Sequence, residues 1–474
     1  MLIRRAELED GAVRDVRIES GRIAAIGTIA PHAGEQVVDA AGGLLLPGLH
    51  DHHIHVAALA ASLASILCGP PHVTHWAALE TALREPGDGW LRGIGYHESV
   101  AGMLDAAMLD RIAPDRPVRI QHRSGRMWFL NSAALDLLLA NRSPPAGLER
   151  IDGRFTGRLF DVDLWLKQAL GGTPPCFAQV GALLARRGVT GVTDMSPAND
   201  AFIANHFAAQ HSRGTLPQRV LLAGSPELGE TDITHGLWLG PTKLHLHEAD
   251  LPDFELTVAM VRTTHARGRS IAVHCATEVE LVFALAAIDA AGALPGDRIE
   301  HASVAPDTAV AEIARLKLAV CSQPHFIAER GDVYRTDVAT DLHPLLYRLR
   351  AFQDVGVPLA AGSDAPFGDA DPWAAMAAAV SRRTRAGAIL GIEEALTPEQ
   401  ALDLYLRDPH SLDRRRTLAI HAPADLCLID RCWAQARDDL ASTRVRATWI
   451  DGRMIVDGVD QTPAQRERGT DPAA

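Results

Sequence analysis

A run of histidines opens a set of metal-ligand residue types spaced like the strands of a barrel. The run is Pro47-Gly48-Leu49-His50-Asp51-His52-His53-Ile54-His55, and Lys243, His274, His301 and Asp364 follow in widely separated segments. The steps from Lys243 to His274 to His301 to Asp364 are 31, 27 and 63 residues, close to one, one and two strand-plus-helix units of about 30 residues each. A barrel of parallel strands brings the C-terminal end of every strand to one rim, where residues distant in sequence can converge on a shared metal. The spacing therefore predicts an α/β chain built on a (β/α)8 barrel, with a hydrolase as the leading functional reading.

The rest of the chain is compatible with that reading. Its 474 residues exceed one small domain and suit a large barrel plus an accessory domain. Hydrophobic residues at 47% and charged residues at 22% lie near the averages for soluble globular proteins, which argues against disordered and fibrous classes. A formal net charge of −13 offers no footprint for nucleic acid or an anionic membrane. The expected partner is a small-molecule substrate, with homo-oligomerisation left open. Cys68, Cys176, Cys275, Cys321, Cys427 and Cys432 contain no CxxC pair, which disfavours a zinc ribbon or disulfide framework and fits a reducing cytoplasm. Charges at Arg4, Arg5 and Glu7 interrupt any export signal, and the apolar run at 57–68 is too short to span a bilayer.

Short strands separated by tight turns are predicted at 2–8, 13–19, 22–26 and 36–39, with Asp10-Gly11 and Ser20-Gly21 as turns. The same texture returns at 425–429, 445–450 and 453–456 around Asp451-Gly452. Residues 1–48 and 417–474 are thus expected to form one small β-sandwich from both ends of the chain, with a loosely ordered tail from about Asp457. Residues 49–416 hold the barrel. Its strands are expected at 44–55, 189–195, 219–223, 242–247, 270–274, 298–301, 318–322 and 358–362. Helical segments at 177–187, 201–213 and 342–355 each run into a glycine suited to a helix C-cap.

More than 130 residues separate the first two barrel strands, so about 65–175 must be an insertion. Trp90, Tyr96, Trp128, Phe129, Phe155, Phe160 and Trp165 make it a folded lobe, expected to pack over the barrel mouth.

His53 and His55, two apart on a strand, face the same way and can reach one ion, with Asp51 deeper on that face and His50 and His52 on the other. Each remaining candidate has an ordinary alternative. His274 could be a core histidine, His301 could pair with Glu300, Asp364 could cap a loop or helix, and Lys243 could form a salt bridge. Those alternatives, with a His-x-His pair that is merely polar at a strand end, together require five coincidences at matching strand ends.

The chain resembles the amidohydrolase superfamily, and within it the branch related to N-substituted formamide deformylases and D-aminoacylases. The resemblance rests on Pro47-Gly48 before the His-x-His strand, the lysine strand, Val273-His274, Glu300-His301-Ala302, Gln323-Pro324 and Gly362-Ser363-Asp364-Ala365-Pro366. Trp128, Asn131, Ser132, Ala134 and Leu135 match a tryptophan-containing stretch of that branch. The resemblance implies two divalent metals, usually zinc. His53, His55 and Asp364 would hold one and His274 and His301 the other, with Lys243, carboxylated by carbon dioxide, bridging them. It implies hydrolysis of a non-peptide carbon–nitrogen bond, in an N-formyl, N-acyl or cyclic amide, by metal-activated hydroxide, with Asp364 shuttling the proton.

This sequence departs from the branch in two places. After Lys243 comes Leu244-His245-Leu246-His247, where the branch commonly has Asp-Gly, so His245 and His247 could support a ligand, contact substrate or replace a ligand. Arg126, in Ser124-Gly125-Arg126, stands where the branch usually has histidine; it suits a substrate carboxylate or a structural ion pair. Tyr96 and His97 lie in a glycine-rich segment resembling a pocket wall and, with Trp128, complete the substrate-contact candidates. Two other readings are a mononuclear deaminase, with an acid such as Glu278 handling protons, and a non-catalytic scaffold. Lys243 argues against the first and the complete ligand set against the second.

Overall fold

The computed structural model describes residues 1–84, 89–171, 174–229, 233 and 236–458. Its centre is a ring of eight parallel strands, numbered here in chain order: β1 (Leu49–Ile54), β2 (Val189–Asp194), β3 (Arg219–Gly224), β4 (Leu237–His245), β5 (Ile271–Cys275), β6 (Arg298–His301), β7 (Ala319–Ser322) and β8 (Leu359–Ala361). All eight predicted strands are present. The segment expected at 44–55 divides at Gly48, however. Leu45–Pro47 joins a terminal sheet and only β1 enters the barrel.

Most intervening helices end as their glycines foretell. Ala178–Arg186 and Ala201–Ser212 lead to Gly188 and Gly214 at φ 79° and 71°, a left-handed turn that glycine enters without a Cβ penalty. The helix expected over 342–355 is shorter. A 3-10 turn holds Thr340–Leu345 with Pro344 inside it, Tyr347 takes φ 49°, and the α-helix covers only Leu349–Asp354. Pro344 cannot donate the hydrogen bond that a continuous helix needs.

The ring closes between β8 and β1 through the segment after β8. Asp364 N–H donates to His53 O at 2.6 Å and His55 N–H to Ala365 O at 2.9 Å. Asp51 Oδ1 accepts from the N–H groups of His53, at 3.1 Å, and Ser363, at 3.0 Å. A Cβ at Gly362 would fall 2.3 Å from His53 N, so only glycine lets the two segments approach this closely.

Both chain ends build two four-stranded sheets. One orders Arg22–Gly27, Val13–Glu19, Leu2–Glu7 and Val37–Asp39; the other orders Arg453–Asp457, Val445–Ile450, Leu426–Ile429 and Leu45–Pro47. They share a core containing Ile3, Val16, Ile23, Leu45, Leu426 and Trp449. The tail from residue 459 lies outside the described residues.

Residues 57–175 form a separate compact unit, beginning earlier than the expected 65. Its six-stranded sheet orders Leu148–Ile151, Arg154–Phe160, Met127–Leu130, Val118–His122, Leu91–Tyr96 and Ile66–Leu67. Apolar clusters around Phe129 and around Trp128 pack within it. Asn131 is buried. It caps the helix Ser132–Leu139 by accepting from Ala134 N–H, and also bonds Val118 N–H, Ala113 O and Arg116 O. No described helix of the chain is long and apolar enough to cross a membrane.

The Asp51 seam generates a stability prediction. Burial pushes the Asp51 carboxyl up to about 6, while its oxygen satisfies two buried N–H groups. Asp51→Asn keeps that acceptor and should melt near the wild-type temperature. Asp51→Ala leaves both donors unpaired and should lose about 2 kcal/mol or more, read by thermal and urea unfolding. Equal losses in the two variants would show that the seam does not depend on this acceptor.

Candidate metal centre

Three histidines at the rim are held by the same device. Each ring is anchored through Nδ1. His53 Nδ1 bonds Glu300 Oε2 at 2.5 Å, His55 Nδ1 bonds Ser196 Oγ at 3.0 Å, and His301 Nδ1 bonds Gln323 Oε1 at 2.7 Å. The Glu300 and Gln323 acceptors put the proton of His53 and His301 on Nδ1, so their Nε2 keeps its lone pair, the arrangement that orients metal-ligating imidazoles. Asp364 Oδ1 lies 3.4 Å from His53 Nε2 and 3.1 Å from His55 Nε2. Ligand atoms of His53, His301 and Asp364 all fall within 4.8 Å of one another. His53 Nε2 is buried with no hydrogen-bond partner, an open donor aimed at this cluster.

The barrel register supplies the other members. His245, His274 and Glu300 stand side by side on β4, β5 and β6, and Lys243, Ala272 and Arg298 form the layer below. The His245 and His274 rings stack at 4.2 Å, and His274 meets the His301 ring at 4.4 Å. β4 ends at His245, short of the expected 247. His247 follows it, with its ring 4.5 Å from that of His245. Lys243 Nζ is buried and without a hydrogen-bond partner.

Strand alternation alone would send Glu300 and His301 to opposite faces. His301 instead adopts φ 69°, turning its ring toward His53, and Asp364 adopts φ 54° three residues beyond β8. Such conformations cost about 1–3 kcal/mol each and cluster at functional sites.

The electrostatics favour neutral imidazoles and charged carboxylates. Burial pushes His53, His274 and His301 below the ordinary histidine range. Burial opposes ionisation of Asp364, yet its hydrogen bond with His55 and the neighbouring His53 and His301 rings hold it low. Glu300 is likewise held well below its ordinary range, against burial, by Arg298, Lys243 and His53. Burial lowers Lys243 toward the neutral amine.

Glu300 and Arg298 join the cluster although the ligand spacing does not reveal them. Arg298 Nε pairs with Glu300 Oε1, and its Nη2 bonds both Glu300 Oε2 at 3.0 Å and His52 O at 2.7 Å. The available signal was a pair of opposite charges two apart on a strand otherwise too buried to carry them. Of the remaining candidates, Glu278 is exposed on the first turn of its helix. Those of the lobe have partners within it. Tyr96 is fully buried and donates to Gly102 O at 2.7 Å, while Trp128 is buried beside Arg92 and Arg119. His97 bonds Ser99 Oγ at 2.7 Å. Arg126, 77% exposed, gives its fork to Asp161 at 2.8 and 2.7 Å, the structural ion pair. A cavity of about 600 Å³, lined by Arg267, Ser270, Asp297 and Lys317 among others, sits at the opposite, N-terminal ends of the strands, which in such barrels serve stability.

Eight parallel strands carrying this histidine–carboxylate cluster at their C-terminal rim have the architecture of a metal-dependent hydrolase. The chain belongs to the amidohydrolase family, whose sequence pattern matches residues 36–456. It is 27% identical to an N-substituted formamide deformylase of Arthrobacter pascens, over 95% of this chain and 96% of that protein. Its fold is similar to that of an uncharacterized metal-dependent hydrolase from Pyrococcus horikoshii OT3, with TM-score 0.76 and 21% identity over 91% of this chain and 97% of the other. A second such hydrolase, from Pyrococcus furiosus, gives TM-score 0.75 and 22% identity over 91% and 98%.

If Glu300 fixes His53 for ligation, Glu300→Gln should weaken metal binding about 10- to 100-fold, the usual effect of removing a partner behind a ligand. It also strands the buried Arg298 charge, which destabilises strongly. The double variant Arg298→Met/Glu300→Gln should regain much of that stability without regaining metal affinity, measured by chelator competition beside thermal unfolding. Full recovery of both would assign Glu300 to stability alone.

Proposed function

We propose that the chain hydrolyses an N-formyl, N-acyl or cyclic amide of a small molecule. Two zinc ions would be held by His53, His55 and Asp364, and by His274 and His301, with carboxylated Lys243 between them. The observation that carries this reading is the convergence of three Nδ1-anchored imidazoles on Asp364, beside a buried lysine nitrogen with no partner. Imidazole and carboxylate donors suit zinc. The deformylase relative supports the choice of amide substrates.

A bound divalent metal supplies Lewis acidity, lowering the pKa of water and polarising a carbonyl. Asp364, kept ionised by its neighbours, accepts the proton of the attacking water and delivers it to the leaving amine. Lys243, as the neutral amine, forms an N–C bond with carbon dioxide and releases a proton to solvent. The resulting carbamate offers two oxygens where an amine offers one nitrogen. His245 would contact substrate from the rim, a role that its stacking on His274 supports. All six cysteines are unpaired, in keeping with a cytoplasmic enzyme.

Elemental analysis of the zinc-saturated protein should give close to two metals per chain, falling in Lys243→Ala. Carbon-13 NMR after growth with labelled bicarbonate should show a carbamate in the wild type only. One metal per chain in both proteins would remove the bridge and favour a mononuclear deaminase.

A screen of the zinc-loaded protein against N-formyl, N-acyl and cyclic amides should identify the substrate. On it, Asp364→Asn should retain the fold and lower kcat about 100-fold or more. Wild-type turnover by that variant with metals bound would exclude Asp364 as proton carrier.

A further inference from the structure

The lobe contains a pair of cations that the barrel cluster does not use. Its strands Leu91–Tyr96 and Val118–His122 run parallel with Arg92 beside Arg119. On the next strand Leu130 lies opposite Arg119 and Trp128 opposite Gln121, so the tryptophan and the arginines share a face. Arg92 Cζ lies 5.7 Å from the Trp128 ring centre. Arg119 Cζ lies 5.8 Å from Trp128 and 5.7 Å from Trp90. The indoles therefore lie against the guanidinium groups.

The N–H groups of these two guanidiniums are largely unpaired. Arg92 gives one nitrogen, Nη1, to Ala61 O and Ser65 Oγ, both at 2.6 Å. Arg119 makes no hydrogen bond or ion pair among the described residues, and its Nε is buried without a partner. The fully buried Arg298 and Arg382 are matched. Arg298 pairs with Glu300, and Arg382 donates to the carbonyls of Leu346, Tyr347, Leu390 and Gly391. Burial, then the charge of Arg92, pushes Arg119 down to about 10. Two like charges, adjacent and partly desolvated, call for an anion between them. A guanidinium's planar fork matches a carboxylate bidentately, and indole walls suit an apolar or aromatic group attached to it.

We propose that Arg92 and Arg119 form a carboxylate-binding site within the lobe, taking a small organic acid whose apolar body lies against Trp90 and Trp128. This would place carboxylate recognition on the lobe sheet and not at Arg126, whose donors Asp161 already takes.

The test uses the zinc-loaded full chain, with N-acetylphenylalanine and its primary amide as probes, by calorimetry and tryptophan fluorescence. The acid should bind saturably and the amide at least tenfold more weakly. Arg119→Met should weaken the acid at least tenfold, and Arg126→Met should not. Arg119→Met removes an unpaired charge, so its melting temperature should equal or exceed wild type. If it fails to fold, Arg92→Met replaces it. Lys243→Ala should bind the acid as wild type does, which separates this site from the metal centre; loss of binding there would assign the carboxylate to the metals and overturn the proposal. Equal binding of acid and amide, tighter binding of inorganic phosphate, or an unaffected arginine variant would also overturn it.

Discussion

The hydrogen bond from each rim histidine's Nδ1 is the constraint on which the centre depends. An imidazole has two nitrogens and, when neutral, one proton; whichever nitrogen is tied determines which one can meet a metal. Glu300 and Gln323 accept at Nδ1, so Nε2 of His53 and His301 carries the lone pair, while the Ser196 hydroxyl ties His55 Nδ1. The three anchors differ in charge. Only His53 is backed by a carboxylate, itself clamped by Arg298. His53 is also the one most completely enclosed by the barrel.

That clamp lies in the barrel interior, where isolated charges are expensive and an ion pair survives only when its remaining donors are satisfied. Arg298 reaches a carbonyl on β1, while Glu300 reaches a ring on the same strand. The pair therefore links β6 to β1 across the barrel, in addition to positioning a ligand. The seam between β8 and β1 does related work. The hydrogen bonds that close it also carry Asp364 to within reach of His53 and His55. Closure of the fold and assembly of the centre share the same few contacts.

How much of this was legible in the sequence depends on the range of the interaction. The eight strands were legible because β-prone runs and helix-ending glycines are local signals, and the ligand types were legible because barrel topology makes strand ends equivalent. The division at Gly48 was not, since one continuous apolar run serves two sheets. Nor was the break at Pro344 and Tyr347, where helical composition hid a turn. Arg298 and Glu300 were visible as letters, but their partner sits on β1, nearly 250 residues away, and no spacing rule reports it. For the lobe, aromatic content signalled a fold without saying which residues would be core. Asn131, part of the resembling motif, is a buried helix cap.

Backbone strain sits at the ligands themselves. His301 and Asp364 occupy left-handed conformations that polar residues tolerate better than branched ones. Each conformation is imposed by neighbours: Gln323 holds the His301 ring, and the His53 carbonyl holds the Asp364 amide. Strand geometry points alternate residues to opposite faces, so a regular strand could present Glu300 or His301 to the cluster but not both. The positive φ at His301 removes that restriction. It lets one short strand deliver both a ligand and the carboxylate that orients another strand's ligand, which is why the Glu-His pair at the end of β6 does more than either residue could alone.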